Sequence, residues 1–365
     1  MTDASTWSTG GPGGRRGRGE PGRADTYRAD RTEVPFAPLP GVMASVLDAV
    51  ERLNRYPDPS GAGLAEALAR RFSVPSTHVV VGPGGAAVTQ MLLRAAVGPG
   101  DEVVCSGPSP GASALLDRSG ARLVEVPFAG PVQDLDALAA AVTGRTRVVV
   151  VGSPNDLTGT TMSHRSLLDF LDMMPPGVLV LVDERYREFV TDTGGAGADA
   201  GESVADGVGL ARGRSNVSVV RTFSHAYGLA ALRVGFALAA PRLADAARRA
   251  ALPFAVSGPA QIAATVSLAA QSELDHRVRV LGRERDRMAR ALRAQGWEVP
   301  MSQANFLWLP LGSATEDFGR ACAQLHVVVR EFPGNGVRVT VGEREANDMV
   351  LFVASRFAGR RPFGA

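Results

Sequence analysis

Apolar positions along the chain follow two spacings, one typical of amphipathic helices and one typical of buried strands. Residues 42–54 and 62–72 carry apolar side chains at helical spacing, and a turn-forming segment separates them. Because strands buried on both faces read as continuous apolar runs, the next part of the chain predicts a mostly parallel sheet flanked by helices. Its short valine-rich runs alternate with helical stretches and lie at residues 78–81, 102–105, 122–126, 147–151, 178–183 and 217–222.

The pattern changes after about residue 252. A long helical stretch leads to residue 295, and two short strands follow at 305–309 and 337–341. This part of the sequence predicts a smaller unit that contains both helices and strands. The predicted fold class is therefore α/β, with a mostly parallel sheet in a large domain flanked by helices and a smaller α+β domain.

These changes in pattern also predict the domain boundaries. Residues 1–30 contain many Gly and Arg and few apolar residues, which is typical of a disordered, solvated tail. We expect residues 31–251 to form an N-terminal arm and the large domain, and residues 252–365 to form the small C-terminal domain. Residues 193–214 are rich in Gly and acidic residues, and they predict a surface loop within the large domain.

Composition narrows the class of protein. The chain is 45% hydrophobic and 21% charged, which is typical of a globular protein. No apolar run approaches the roughly 20 residues that cross a bilayer, so we expect a cytoplasmic protein that does not bind membranes. No motif points to nucleic acid, and we expect none as a partner. Cys105 and Cys322 do not make a disulfide framework, and no Cys/His cluster has the spacing of a zinc site.

The basic residues hold the most informative feature of the composition. Lys and Arg together number 39, and every one of them is arginine. A chain without lysine has no side chain that can form a Schiff base with an aldehyde or ketone. Catalysis through a lysine-bound carbonyl cofactor is therefore excluded for these 365 residues.

One segment resembles a known cofactor loop. Residues 221–236 read Arg-Thr-Phe-Ser-His-Ala-Tyr-Gly-Leu-Ala-Ala-Leu-Arg-Val-Gly-Phe. This segment resembles the cofactor-anchoring loop of fold-type I pyridoxal-phosphate enzymes, in the histidinol-phosphate aminotransferase branch of the class I/II aminotransferases. In that family the residue after the Ser is the lysine that binds the cofactor, and here it is His225. The resemblance extends over about residues 31–355.

Further motifs resemble the family's cofactor site. The resemblance implies that the glycine-rich turn with Gly85 and Ala86, together with Ser224 and Arg233, binds the cofactor phosphate. Small residues at a helix start let backbone N–H groups approach an anion, which gives the turn a physical role. The resemblance also implies that Asp183 pairs with the pyridine nitrogen, that Tyr186 contacts the ring hydroxyl and that Tyr56 reaches the phosphate of a partner subunit, which implies a homodimer.

Two arginines resemble substrate contacts of the family. Arg338 matches the residue that clamps a substrate carboxylate, which implies a small amino or keto acid as the ligand. Arg330 falls where this branch can place a contact to a substrate phosphate.

The sequence departs from the family pattern within the same site. Asp156 stands where an Asn normally donates to the ring oxygen, and an ionised carboxylate cannot donate. Asp156 must therefore be protonated, turned away or paired with a different ligand. Arg185 stands where the family often has Ala, and it is either a substrate contact or a member of a salt bridge. The family's ring-stacking aromatic residue falls at Pro110.

The sequence leaves three functions open. The first is an atypical enzyme of specialised metabolism that acts on an amino or keto acid. It would hold pyridoxal phosphate (PLP) or pyridoxamine phosphate (PMP) noncovalently and use His225 as acid or base. The second is a noncatalytic, aminotransferase-like partner protein. The third is an enzyme that reuses the pocket without this cofactor, with Asp156 and His225 as an acid/base pair.

Overall fold

The computed structural model describes residues 26–116, 119–128, 130–191 and 203–357. The strands are β1 Tyr27–Ala29, β2 Val79–Gly82, β3 Glu102–Gly107, β4 Arg122–Pro127, β5 Thr146–Gly152, β6 Leu179–Asp183, β7 Val217–Thr222, β8 Gly235–Leu238, β9 Phe306–Pro310, β10 Val327–Phe332 and β11 Gly336–Thr340. Within these ranges the main sheet has seven strands in the order β2-β8-β7-β6-β5-β3-β4. Strand β8 runs antiparallel to both of its neighbours, and the other pairs are parallel.

Helices make up much of the rest of the described chain. They are α1 Pro40–Val50, α2 Ala62–Phe72, α3 Gly85–Ala96, α4 Pro110–Leu116, α5 Leu135–Ala140, α6 His164–Met173, α7 Gly207–Gly213, α8 Pro241–Arg249, α9 Gly258–Ala269, α10 Gln271–Ala294, α11 Thr315–Gln324 and α12 Arg344–Phe357. Several begin at a side chain that accepts a backbone N–H, as Ser163 does for α6 and Ser257 for α9. None of the helices in the described ranges is long and apolar enough to span a membrane.

Both faces of the main sheet are buried. Along β6, Val180 and Val182 belong to one apolar core, and Leu179 and Leu181 belong to a second core on the opposite face. Successive side chains of a strand point to opposite faces, so a strand covered on both sides needs apolar residues at every position. The predicted α/β class and the mostly parallel sheet are confirmed.

A second sheet lies in the C-terminal part of the chain, with the order β1-β10-β11-β9. Strand β1 pairs in parallel with β10. The prediction of a disordered tail is therefore wrong for Tyr27–Ala29, which form this strand. The tail was expected to reach residue 30, and a three-residue strand is too short to show a pattern of its own. The rest of the predicted tail, residues 1–25, lies outside the described residues.

Two further strands and one helix were not predicted from the sequence. Strands β8 and β10 were not predicted, and the expected loop over residues 193–214 contains helix α7 at its end. Residues 192–202 of that segment lie outside the described residues. Asp206 caps helix α7, because its side chain accepts the N–H of Val208. A polar residue in the expected loop therefore starts a helix.

A buried ion pair joins the centre of the main sheet to α7. The carboxylate of Glu184, directly after β6, is fully buried and accepts from the guanidinium of Arg221 on β7 at 2.7 and 2.9 Å. It also accepts the N–H of Gly207, the first residue of α7, at 2.8 Å. The guanidinium of Arg221 lies 5.1 Å from the ring of Phe72. This pair fixes the chain where β6 ends.

The substitution Arg221→Met should destabilise the fold because it leaves the Glu184 carboxylate buried without its cation. We expect the free energy of unfolding in urea to fall by about 3 to 5 kcal/mol, the cost of breaking a buried pair. Arg70→Met, at an exposed position of α2, is the control and should change it by less than about 0.5 kcal/mol. Equal effects of the two substitutions would contradict this role.

Candidate functional site

The carboxyl ends of the central parallel strands bring the predicted site residues together. Asp183 ends β6, Thr222 ends β7, and the segment with Asp156 follows β5. Helix α3 begins three residues after β2, at Gly85. Ligands of open α/β sheets bind at this edge, because loops that leave neighbouring strand ends enclose a cleft there.

One side of this cleft is an anion cradle. Helix α3 begins at Gly85 without a side-chain cap, so the first backbone N–H groups of the helix, those of Gly85 and Ala86, have no partner of that kind. The guanidinium of Arg233 donates to the hydroxyl oxygen of Ser224 at 3.2 Å and to the carbonyl of Ala230 at 2.9 Å. A helix start, a hydroxyl and a guanidinium together are suited to a phosphate group.

Glycine is required where this cradle is most crowded. Gly84 has φ of +96°, and a Cβ there would lie 2.4 Å from the guanidinium of Arg233. A Cβ on Gly235 would lie 2.7 Å from the backbone nitrogen of Gly85. Side chains at either position would push Arg233 or β8 away from the start of α3. The close approach of these backbones keeps the cradle narrow.

The opposite side of the cleft contains an ion pair between Asp183 and Arg185. Nε of Arg185 lies 2.8 Å from each carboxylate oxygen of Asp183, and the backbone N–H of Arg185 donates to Oδ1 at 3.1 Å. Both oxygens of Asp183 are therefore bonded to the same guanidinium. Of the two roles that the sequence left open for Arg185, the structure has the salt bridge.

The side chain of Arg185 crosses the cleft towards the cradle. A Cβ on Gly85 would lie 2.9 Å from Cδ of Arg185, so the aliphatic stem of the arginine packs against the start of α3. The cavity that contains Asp183, Asp156 and Arg185 has a volume of about 190 Å³. This volume is below the range of about 300 to 1,000 Å³ that is usual for cofactor sites.

A second ion pair closes the side of the cleft that faces the smaller sheet. Arg338 on β11 donates through Nη1 to the Asp156 carboxylate at 2.9 Å and to its carbonyl at 2.6 Å. The Tyr186 hydroxyl donates to the same carboxylate oxygen at 2.6 Å. Arg338 is 8% exposed, and within the described part of the chain its Nε has no hydrogen-bond partner. The arginine predicted to bind a substrate carboxylate thus binds a carboxylate of its own chain.

Asp156 is ionised in this arrangement. Burial alone would raise the pKa of Asp156, but Arg338 and then Arg185 outweigh it and lower the pKa to about 2. The side chain keeps 51% of its surface accessible, so it forms one wall of the cleft. The sequence left Asp156 protonated, turned away or paired with a different ligand, and in the structure it is paired with Arg338 of its own chain.

His225 lies beside this ion pair, between Tyr186 and the N-terminal arm. Its ring stacks on Tyr186 with centroids 4.5 Å apart, and its Nδ1 lies 3.0 Å from the carbonyl oxygen of Thr32. Because a carbonyl oxygen only accepts, Nδ1 carries the proton and Nε2 keeps its lone pair. Burial, and then the charge of Arg185, lowers the pKa of His225 to about 4. The imidazole is neutral at neutral pH.

Two predicted site residues lie outside this cluster. Tyr56 is 84% exposed, and its ring packs at 4.8 Å from Phe254 on the surface. Arg330 is exposed on β10, directly opposite Arg338 of β11, and its guanidinium lies 5.7 Å from the ring of Phe332. The structure therefore brings together the proposed phosphate, ring and carboxylate contacts of one chain, and it leaves these two residues at the periphery.

Thr32 is the site residue that the sequence reading missed. Its hydroxyl oxygen lies 3.2 Å from Nδ1 of His225 and 3.5 Å from the Tyr186 hydroxyl. The amide of Asn305 donates to its carbonyl at 3.0 Å. Thr32 belongs to the arm after β1, in a segment without a periodic pattern or a motif, so no signal in the sequence marks it.

A larger cavity of about 530 Å³ lies next to the cleft and shares Pro108, Phe128 and Leu157 with it. Aromatic side chains of Trp297 and Trp308 line it. Among the described residues, none of the predicted site residues contributes to its wall. The chemistry-bearing groups are in the smaller cleft, which is therefore the candidate site.

Comparisons with known proteins give the family. The sequence matches the family described as Aminotransferase class I and II over residues 30–352. It is 51% identical over 333 residues to the aromatic amino acid aminotransferase of Streptomyces avermitilis, across 91% of this chain and 90% of that protein. It is 49% identical over 348 residues to the protein of the same name from Thermobifida fusca, across 95% and 94% of the two chains.

A solved structure agrees with this assignment. Histidinol-phosphate aminotransferase from Sinorhizobium meliloti, in complex with pyridoxal-5'-phosphate, superimposes with a TM-score of 0.82 at 26% identity, across 92% of this chain and 93% of that chain. The predicted fold-type I architecture is confirmed. The chain belongs to the class I and II aminotransferase family.

Proposed function

We propose that this chain is a lysine-independent member of the family, which holds a phosphate-bearing ligand noncovalently and does not carry out ordinary transamination. The observation that carries the proposal is the absence of lysine from all 365 residues. Transamination in this family begins from a lysine-bound cofactor, and imidazole cannot replace a primary amine in that bond. His225, which the resemblance places at the lysine position, therefore cannot supply the covalent link.

The anion cradle supports noncovalent binding of the ligand. The start of α3, Ser224 and Arg233 offer backbone N–H groups, a hydroxyl and a guanidinium to one phosphate. Gly84 and Gly235 hold these groups together at distances that a Cβ would not allow. This half of the cleft fits the phosphate of PLP or PMP.

The other half of the cleft does not fit the cofactor ring while Arg185 is in place. A protonated pyridine nitrogen needs a carboxylate oxygen of Asp183, and both oxygens are bonded to Arg185. A ring oxygen also needs a donor, whereas Asp156 is an ionised acceptor. The ligand class that the site supports is therefore a small phosphate-bearing anion.

The carboxylate subsite is also filled from within the chain. Relatives named aromatic amino acid aminotransferase support an amino or keto acid as the second part of the ligand. Arg338 is the residue that would bind its carboxylate, and it now binds Asp156 at 2.9 Å. A ligand carboxylate would have to displace Asp156 from Arg338. This competition lowers the affinity of the subsite for a ligand carboxylate.

These contacts favour the noncatalytic alternative over the two catalytic ones. A general base works best when its pKa lies near the working pH, and the pKa of His225 is lowered to about 4. Asp156 has no proton to exchange with His225, because Arg338 holds it ionised. Proton transfer by His225 stays the second candidate, since its Nε2 has a lone pair and, among the described residues, no hydrogen-bond partner.

We also propose that the chain forms a homodimer. Exposed apolar side chains of α1, the following turn and the segment around α9 form one surface, which we call the α1/α9 surface: Met43, Leu47, Val50, Leu53, Tyr56, Phe254 and Ile262. An exposed apolar surface of this kind marks an interface. A second copy of the chain is its proposed occupant, because Tyr56 lies in it and is the residue for which the resemblance implies a partner subunit.

The phosphate cradle predicts reversible binding without a covalent product. Calorimetry should show that the wild-type chain binds inorganic phosphate, and that it binds PLP through the phosphate group alone. Borohydride treatment followed by peptide mapping should find no pyridoxyl group on any side chain. Arg233→Ala should weaken both affinities at least about tenfold, through loss of roughly 1.4 kcal/mol or more. Arg242→Ala, at an exposed position of α8, is the matched charge control and should bind like the wild type.

Two results would contradict this proposal. One is steady turnover of an aromatic amino acid with a keto acid acceptor above the rate in buffer with PLP. The other is phosphate binding that does not change in Arg233→Ala.

The environment of His225 predicts an acid-shifted titration. The NMR signal of its imidazole, assigned by its loss in His225→Gln, should move with a midpoint near pH 4. In the unfolded chain the same group titrates near about 6.5, so the unfolded state binds more protons between these values. His225 should therefore lower the stability as the pH falls from 6.5 to 4 and leave it unchanged above that range. A midpoint near 6.5 would show that the ring is solvated and apart from Arg185.

The α1/α9 surface predicts a dimer in solution that one charge disrupts. The wild-type chain should be a dimer by light scattering at micromolar concentration. Leu53→Asp should give a monomer, because it places a carboxylate at a side chain that is 64% exposed in the single chain. Met173→Asp, at an exposed apolar residue of α6, is the control and should stay dimeric. A dimer in both variants would place the interface elsewhere.

A further inference from the structure

We propose that Arg185 is a specificity-determining residue that occupies the ring subsite and selects against phosphate esters with a protonated aromatic ring, so that its removal opens the cleft to PLP. This inference rests on the proposed noncovalent binding of phosphate in the cradle. It adds the residue that decides which phosphate-bearing ligands can enter.

The geometry of Arg185 is that of an internal ligand. Its Nε reaches both oxygens of Asp183 at 2.8 Å, and its Nη2 lies 3.9 Å from a carboxylate oxygen of Asp156. The guanidinium thus has the planar, cationic form of a protonated pyridine, and it uses the oxygens that such a ring would need. A pyridine ring at this position would have to displace the guanidinium from Asp183 or share the carboxylate with it.

The stem of Arg185 excludes a ring by volume as well as by charge. Its Cδ packs beside Gly85, at the entrance of the anion cradle, and the remaining cavity measures about 190 Å³. An inorganic phosphate needs only the cradle, whereas a phosphate ester with an aromatic ring needs the space that the arginine fills. The two ligands therefore depend on Arg185 differently.

The site can release Arg185 without losing its other contacts. Arg233 and Ser224 contact each other directly, and Arg338 contacts Asp156, so neither pair depends on the guanidinium of Arg185. The side chain of Asp183 is 18% exposed, so water can solvate its carboxylate after a truncation. The truncated site would keep the cradle and present a free carboxylate at the far end of the cleft.

The test measures the binding of two ligands to the full-length wild-type chain, to two Arg185 variants and to one control variant. Dissociation constants of PLP and of inorganic phosphate are measured by calorimetry for wild type, Arg185→Ala and Arg185→Gln. The control Arg165→Ala removes the same charge from an exposed position of α6. Thermal unfolding followed by circular dichroism checks that each variant folds, and Arg185→Gln keeps most of the stem if the truncation does not fold.

We expect Arg185→Ala to bind PLP at least about tenfold more tightly than wild type and to bind inorganic phosphate within about twofold of it. The affinity of Arg185→Gln for PLP should lie between those of wild type and Arg185→Ala. Arg165→Ala should bind both PLP and inorganic phosphate as tightly as wild type does. An unchanged or weaker affinity of the folded Arg185 variants for PLP overturns the inference. If instead no variant binds inorganic phosphate, the proposed function fails, and the ratio of PLP affinities still decides the role of Arg185.

Discussion

The ion pair between Asp183 and Arg185 decides what this cleft can hold. Asp183 stands at the end of a central parallel strand, where the fold concentrates its ligand contacts, and Arg185 follows two residues later. The chain thus neutralises its own best cation-binding group. Asp156 does the same for Arg338, the best carboxylate-binding group. In the function that we propose, these two internal ion pairs take the place of the charged contacts that a cofactor and a substrate would make.

The fold explains why these pairs form without disturbing the rest of the molecule. The buried pair of Glu184 and Arg221 lies directly below the cleft and fixes the end of β6. Glycines at the start of α3 keep the cradle narrow, because the backbones and Arg233 leave no space for a Cβ. The scaffold of the family is therefore intact around a site whose side chains have new partners. The family membership of this chain follows from the scaffold, whereas its function depends on those partners.

Most of the parallel sheet could be predicted from the sequence, because strands buried on both faces carry apolar residues at successive positions, as Leu179, Val180, Leu181 and Val182 of β6 do. Strand β1 could not, because three residues carry no period and the pairing with β10 is purely tertiary. The resemblance to the family pointed to Asp183, Ser224, Arg233 and Arg338, because these residues match its motifs in order and spacing. The contacts between these side chains could not be predicted. No sequence pattern indicates that Arg338 contacts Asp156, 182 positions away, or that Thr32 contacts His225.

A crystal structure of the chain soaked with PLP would show directly whether Arg185 keeps the ring subsite. We expect electron density for a phosphate between the start of α3, Ser224 and Arg233, with Arg185 still bonded to both oxygens of Asp183. Density for a pyridine ring whose nitrogen contacts Asp183, with Arg185 turned away, would contradict it.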